Sequence, residues 1–220
     1  MAVGNSLTAR KSTGIAAYLT QEAVKNQINN VIGGKSGQRF ISAIVSAVNN
    51  NAALQECTNQ SILSGALLGE SLNLSPSPQL GQYYLVPFND RNKGKVAQFQ
   101  LGYKGYIQLA IRSGQYKKLN VLAIKEGELV RFDPLNEEIE VHLIEDEEAR
   151  EQAETIGYYA MFEYTNGFKK AIYWSKKKME AHALKYSKGY QAKKGYTFWE
   201  KDFDGMAYKT MLRQDRKSVV

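Results

Sequence analysis

The chain has 220 residues, a formal net charge of +7 and a pI near 9.3, with 14 tyrosines and a single cysteine. That length holds one large domain or two small ones with ample core, and lone Cys57 excludes an internal disulfide or a cysteine-based zinc cluster. No apolar run is long enough to span a membrane and the first twenty residues lack the apolar segment of a signal peptide, so the expectation is a cytoplasmic protein whose basic charge favours a polyanionic partner.

Residues 1–37 are polar and rich in Gly, Ser, Asn and Thr, which predicts a mobile N-terminal arm with one short helix near "IAAYLTQEAVKNQI". Over 38–57, Ile41, Ile44, Val45 and Val48 recur at i, i+3, i+4 and i+7, the period of an amphipathic helix. A second helix is expected through "NQSILSGALLGESL", capped by Asn59 and stopped before Pro76. The period then switches to that of strands. "QYYLVPF" and "KVAQFQL" read as a pair joined by the turn-rich "NDRNKG". A glycine-flanked helix follows, then strands at "LNVLAIK", "ELVRF" and "EIEVHLI", and an acidic "EDEEAREQAE" read as a solvated loop or short exposed helix. "TIGYYAMFEY" and "FKKAIYW" flank Asn166-Gly167, a strong hairpin signal. Helices over 175–187 and 199–213 close the chain, separated by the lysine- and glycine-rich "KGYQAKKGYT". The fold class is α+β, an N-terminal helical layer followed by an antiparallel sheet core with helices packed on one face.

Charge is unevenly distributed. Residues 1–125 carry 13 basic and 4 acidic side chains, 126–154 carry 2 and 12, and 168–220 carry 14 and 5. An acidic insert between two basic halves suggests a nucleic-acid face with the acidic segment held away from it or offered to a neighbouring subunit.

Catalytic motifs are absent. His142 and His182 have no carboxylate or cysteine at metal-ligand spacing, and both read as structural or surface residues. Gly34-Lys35-Ser36 resembles the end of a phosphate loop, but the pattern needs glycine where Asn29 stands, and no strand precedes it. "DFDG" lacks the remaining ligands of a calcium loop. Neither nucleotide hydrolysis nor any other enzymatic reaction is indicated, and no cofactor is implied.

The basic residues sit where local structure disfavours them. With Ser175 as cap, Lys176, Lys177 and Lys178 fall in the first turn of a helix, opposing its dipole at a cost of about 0.3–1 kcal/mol each when exposed. The same placement joins three ammonium groups to free backbone N–H groups, a phosphate-binding arrangement. Lys209 and Arg213 form an i, i+4 like-charge pair. They share a face opposite Phe203, Met206, Ala207 and Thr210, which removes any need for them in packing. Tyr103, Tyr106, Tyr116, Tyr186, Tyr190, Tyr196, Phe198 and Trp199 are interleaved with Lys and Arg; Tyr106 alone reads as core. Bases stack on such rings only when unpaired, so single strands are favoured over duplex. In "FQLGYKGYIQLAIRSGQYKKL", "GYKG" reads as a loop whose glycines admit DNA backbone, with Lys104 and Arg112 on phosphate.

"SILSGALLGESLNLSPSPQLGQYYLVPF", "QFQLGYKGYIQLAIRSGQYKKL" and "FWEKDFDGMAYKTMLRQ" together resemble the RecT family of phage single-strand annealing recombinases, over about residue 20 to Gln214. The resemblance implies a protein that binds single-stranded DNA, assembles into rings or filaments and anneals complementary strands without ATP. It also implies a phage exonuclease as partner, in the cytoplasm of a bacterial host. The alternative is a passive single-strand coating protein that does not anneal. The candidate DNA contacts are Tyr103, Lys104, Arg112, Lys117, Lys118, Lys169, Lys176, Lys177, Lys178, Lys185, Lys188, Lys193, Lys194, Phe198, Trp199, Lys209 and Arg213. Family members continue past the "MLRQ" helix, whereas "DRKSVV" reads like translated adapter sequence. The expected organisation is therefore an arm over 1–37, one annealing domain over 38–214 and a non-native tail over 215–220.

Overall fold

The computed structural model describes residues 14–217. Contacts concentrate in two compact units, 1–101 and 102–220, so a division falls inside the range 38–214 that the sequence suggests as one domain. The fold is α+β, with helices leading and antiparallel sheets following.

The first unit contains α1 (Ile15–Leu19), α2 (Glu22–Ile32), α3 (Gly34–Asn49), α4 (Ala52–Gln55), α5 (Asn59–Ser71) and the paired strands β1 (Tyr83–Asp90) and β2 (Gly94–Leu101). The described part of 1–37 is built into this core: Leu19 and Ile28 are fully buried, so α1 and α2 each contribute an apolar face. Residues 1–13 of the expected arm lie outside the described residues. The repeating Ile41, Ile44 and Val48 of α3 point into the same core, as their spacing predicts. Thr58, not Asn59, is the residue before α5, and its side chain makes no capping bond. Helix α5 lies on the hairpin through two glycines. A Cβ at Gly69 would stand 2.4 Å from the Tyr83 ring, and one at Gly65 would stand 2.7 Å from Leu85.

The second unit is ordered α6 (Tyr103–Ser113), β3 (Tyr116–Lys125), β4 (Leu129–Asp133), β5 (Glu138–Val141), α7 (Glu147–Gln152), β6 (Thr155–Tyr164), β7 (Lys169–Ser175), α8 (Lys176–Tyr186), α9 (Lys188–Gln191), α10 (Phe198–Lys201) and α11 (Phe203–Lys217). Strands β3, β6 and β7 form an antiparallel sheet with β6 central, while β4 and β5 form a separate hairpin. Ala123, Tyr158 and Ala160 share one sheet face, on which Met179 and Ala183 of α8 and Ala207 and Met211 of α11 pack. Both helices therefore ride the same face, and this sets the geometry of the basic surface. Asn166 accepts from the Phe168 N–H and Gly167 takes φ +88° at the β6–β7 turn, the conformation the Asn-Gly pair favours. The last helix runs on through Lys217 and Asp215 is buried, so 215–217 continue the helix where the sequence suggests a tail; 218–220 lie outside the described residues.

Candidate nucleic-acid interface

The first turn of α8 is assembled as expected. Ser175 is the cap, its hydroxyl accepting from the Lys178 N–H at 3.2 Å, and the three lysines follow directly. They then diverge. Lys176 pairs with Glu154 at 3.1 Å, Lys177 is exposed, and Lys178 Nζ lies 4.5 Å from the centre of the Trp174 ring. The exposed Lys176–Glu154 pair is worth about 0–1 kcal/mol, too little to prevent the lysine from exchanging its carboxylate for a phosphate. At the far end of the helix, Lys185 Nζ lies 5.3 Å from the centre of the Tyr186 ring.

Helices α8 and α11 pack on the same sheet face, and Arg213 of α11 is close enough to act electrostatically on α8. Arg213 depresses the pKa of both His182 on α8 and Lys209 on α11, and Lys185 adds to the effect on His182. Burial is the larger cause in each case; together with Arg213 it pushes Lys209 down to about 8. Like charges crowded in this way raise the free energy of the bare protein, and an anion placed among them reverses the sign. Lys209 also departs from expectation: it is half-buried beside the apolar side of α11 rather than freely exposed.

The segment between α8 and α11 has a defined shape. Ser187 caps α9 by accepting from the Tyr190 N–H, and Lys193 and Gly195 adopt φ +48° and +75°. Glu200 closes the loop, one oxygen accepting from the Gly195 N–H and the other from the Thr197 N–H and hydroxyl. These bonds hold its carboxyl below the usual range. Lys188, Lys193, Lys194 and Tyr196 are thereby presented to solvent on a short, pinned loop. Phe198 is 37% exposed, but Trp199 is only 7% exposed and packs against Tyr190 and Phe203. Trp199 is thus a core residue rather than a base-stacking one, because the turn of α10 points it inward.

The opening of α6 is corrected as well. "GYKG" is not a loop; α6 starts at Tyr103, and Gly102 and Gly105 are buried. Tyr103 is half-buried, its ring edge-on to Tyr208 at 5.6 Å. Lys104 and Arg112 are exposed on the helix, whereas Lys117 pairs with Glu163 at 2.6 Å. Lys118 and Lys169 line a groove of about 640 Å³ between the β4–β5 hairpin and the sheet, together with Arg131 and Lys170. Glu137, Glu138, Glu140 and Glu163 line it too, and the balanced charge makes it a poor site for a polyanion. Of the candidate cations, Lys185 of α8 and Arg213 of α11 act together on His182, and Arg213 also acts on Lys209.

A model of the RecT family matches residues 38–218. The chain belongs to the RecT family. It is 42% identical over 195 residues to the uncharacterized protein YqaK of Bacillus subtilis (strain 168), which covers 89% of this chain. It is 30% identical over 129 residues to Protein RecT of Escherichia coli (strain K12), covering 57% of the chain. The chain spans 63% and 48% of the lengths of these two relatives. All seventeen candidate contacts lie inside the RecT match. Among the described residues no three His, Cys, Asp or Glu side chains converge as a metal site requires, and no helix is long and apolar enough to cross a membrane.

Two residues of this surface escape a reading of the sequence. Trp174 lies in the expected strand and His182 reads as an isolated histidine, yet their rings stand 5.4 Å apart. The only sequence signal was the i, i+4 spacing of His182 and Tyr186, which puts both rings on one side of α8.

Proposed function

We propose that this chain binds single-stranded DNA and anneals complementary strands in homologous recombination, without ATP and without acting as an enzyme. The observation that carries the reading is the approach of Lys185 on α8 and Arg213 on α11 to His182, in a chain of the RecT family. Pairing of complementary strands is downhill by about 1.4 kcal/mol per stacked step, so annealing needs no fuel. It needs phosphate repulsion neutralised and base edges left open. A row of cations on one face meets the first need, and contact through phosphate rather than base edges meets the second.

Copies of the chain assemble on DNA in a ring or filament, the acidic 126–154 segment of one meeting a basic segment of the next, and an exonuclease supplies the single strand in the bacterial cytoplasm. The test is annealing of complementary oligonucleotides followed by fluorescence transfer, with and without ATP. Acceleration that is equal in both supports the proposal. Tight binding with slowed pairing would make the protein a coating protein instead, and acceleration only with ATP would overturn the mechanism. Light scattering with long complementary strands should show large assemblies; a strictly monomeric complex at low salt would exclude self-assembly.

A further inference from the structure

We propose that Trp174, His182 and Tyr186 form a ladder on which unpaired nucleobases of single-stranded DNA stack, with Lys178 and Lys185 leaving the rings to take the flanking phosphates. This rests on the single-strand-binding reading and gives it a base-contacting site.

The ladder follows from the chain. Trp174 is the penultimate residue of β7, immediately before the Ser175 cap, so its ring faces the beginning of α8. His182 and Tyr186 are one helical turn apart. The ring centres are separated by 5.4 Å for Trp174 and His182 and by 4.6 Å for His182 and Tyr186, with interplanar angles of 58° and 47°. The row is anchored at one end, where Trp174 packs on the core with Met179 and Ala183 behind it. It is open at the other, where Tyr186 is 67% exposed and His182 is its one ring contact among the described residues.

A row that starts in the core and ends in solvent offers π surface at its open end, where Lys185 lies over a Tyr186 ring that is still largely exposed. The surroundings select what fills it. Lys178, His182 and Lys185 fall at i, i+4 and i+7 on one side of α8, and Arg213 approaches from α11. An apolar peptide would gain nothing from three cations around an aromatic row, whereas a single strand offers a π face and a phosphate at every nucleotide. Both lysines already lie over rings, Lys178 on Trp174 and Lys185 on Tyr186. A base that takes a ring face displaces the ammonium group toward the phosphate of the same nucleotide. Burial, then Arg213 and Lys185, lower the His182 pKa, which favours an uncharged ring at the middle rung.

The ladder is tested with two probes of equal length and charge, a thymidine oligonucleotide and one in which abasic sites replace the central nucleotides. The wild-type protein should bind the thymidine strand about tenfold more tightly. Tyr186→Ala should weaken binding of the thymidine strand by about the same factor and bind both probes alike, while Tyr186→Phe keeps the discrimination. The dependence of log affinity on log salt should be unchanged in Tyr186→Ala, since no phosphate contact is lost, but should fall by about 0.7 in Lys185→Ala. His182→Ala should narrow the discrimination too, with circular dichroism unchanged. A wild-type protein that binds both probes equally tightly, or a Tyr186→Ala variant that still discriminates, would overturn the ladder and leave single-strand binding standing. A wild-type protein that binds neither probe would overturn both readings.

Discussion

At Lys209 stability and the proposed phosphate contact respond to pH in opposite directions. Its folded pKa of about 8 lies below the ordinary 10.5, first through burial and then through Arg213. Below pH 8 it is charged in the folded and unfolded chains alike, and the folded chain bears the cost of holding that charge. Between about pH 8 and 10.5 the unfolded chain binds the extra proton, so this group makes stability rise with pH across that window. Its charge for a phosphate disappears over the same rise. Replacing Lys209 and Arg213 with alanine should lower the salt dependence of single-strand affinity by roughly 1.4 at pH 7, about 0.7 for each contact, and equally for unrelated sequences. At pH 9 the wild-type slope should already have fallen by roughly 0.7, whereas Lys209→Arg should keep its slope at both values. Salt titrations of two oligonucleotides at pH 7 and 9 check this. A slope in the wild-type protein that ignores pH would mean that Lys209 does not touch phosphate.

At the scale of elements, the short acidic helix α7 is held by one buried pair. Glu128 is fully buried in the turn between β3 and β4. Its carboxylate accepts from the N–H groups of Lys125 and Ile144 and from Arg150, with Arg150 Nε at 2.6 Å. Arg150 also donates to the Ala123 carbonyl of β3, which joins α7 to the sheet. Burial alone would raise the Glu128 pKa, but these bonds outweigh it and hold the carboxyl below its ordinary value. A depressed carboxyl stabilises the fold above its unfolded pKa, and that share is lost as pH falls from about 4.5 through the lower folded value. Arg150→Met should cost about 3–5 kcal/mol, because it strands a buried charge. Adding Glu128→Gln to it should recover part of the loss. Urea denaturation of the single and double variants measures both; a single variant within about 1 kcal/mol of wild type would show that water reaches Glu128.

For the whole chain the dominant feature is the division of charge. The acidic 126–154 segment carries 12 carboxylates against two cations, between halves that are each strongly basic. Glu145, Glu147 and Glu148 are exposed, and Asp146 caps α7 by accepting from the Ala149 N–H. Reversing the three glutamates to lysine, with the cap kept, should leave single-strand affinity equal or higher, since a phosphate-binding face would not be built around them. The same reversal should weaken self-assembly on DNA if this segment meets the basic segment of a neighbour. Filter binding and light scattering separate the two effects. A large loss of affinity in the folded variant would put the acidic segment at the DNA.

The sequence by itself determined the local turns, caps and helix faces. The period of Ile41, Ile44 and Val48 in α3, the Asn166-Gly167 turn and the Ser175 cap are local signals, set by backbone geometry within a few residues, and each appears where its chemistry requires. The basic and aromatic composition pointed to a polyanion with unpaired bases because net charge and ring content are properties of the sequence alone. Which rings and cations meet was decided by tertiary structure alone. Trp199 turns inward because α10 is a single turn between a pinned loop and α11. Lys209 is half-buried and Arg213 reaches His182 because α8 and α11 share a sheet face. Trp174 joins the row because β7 ends where α8 begins. Burial and charge crowding depend on residues distant in the chain, and no periodicity within one element encodes them.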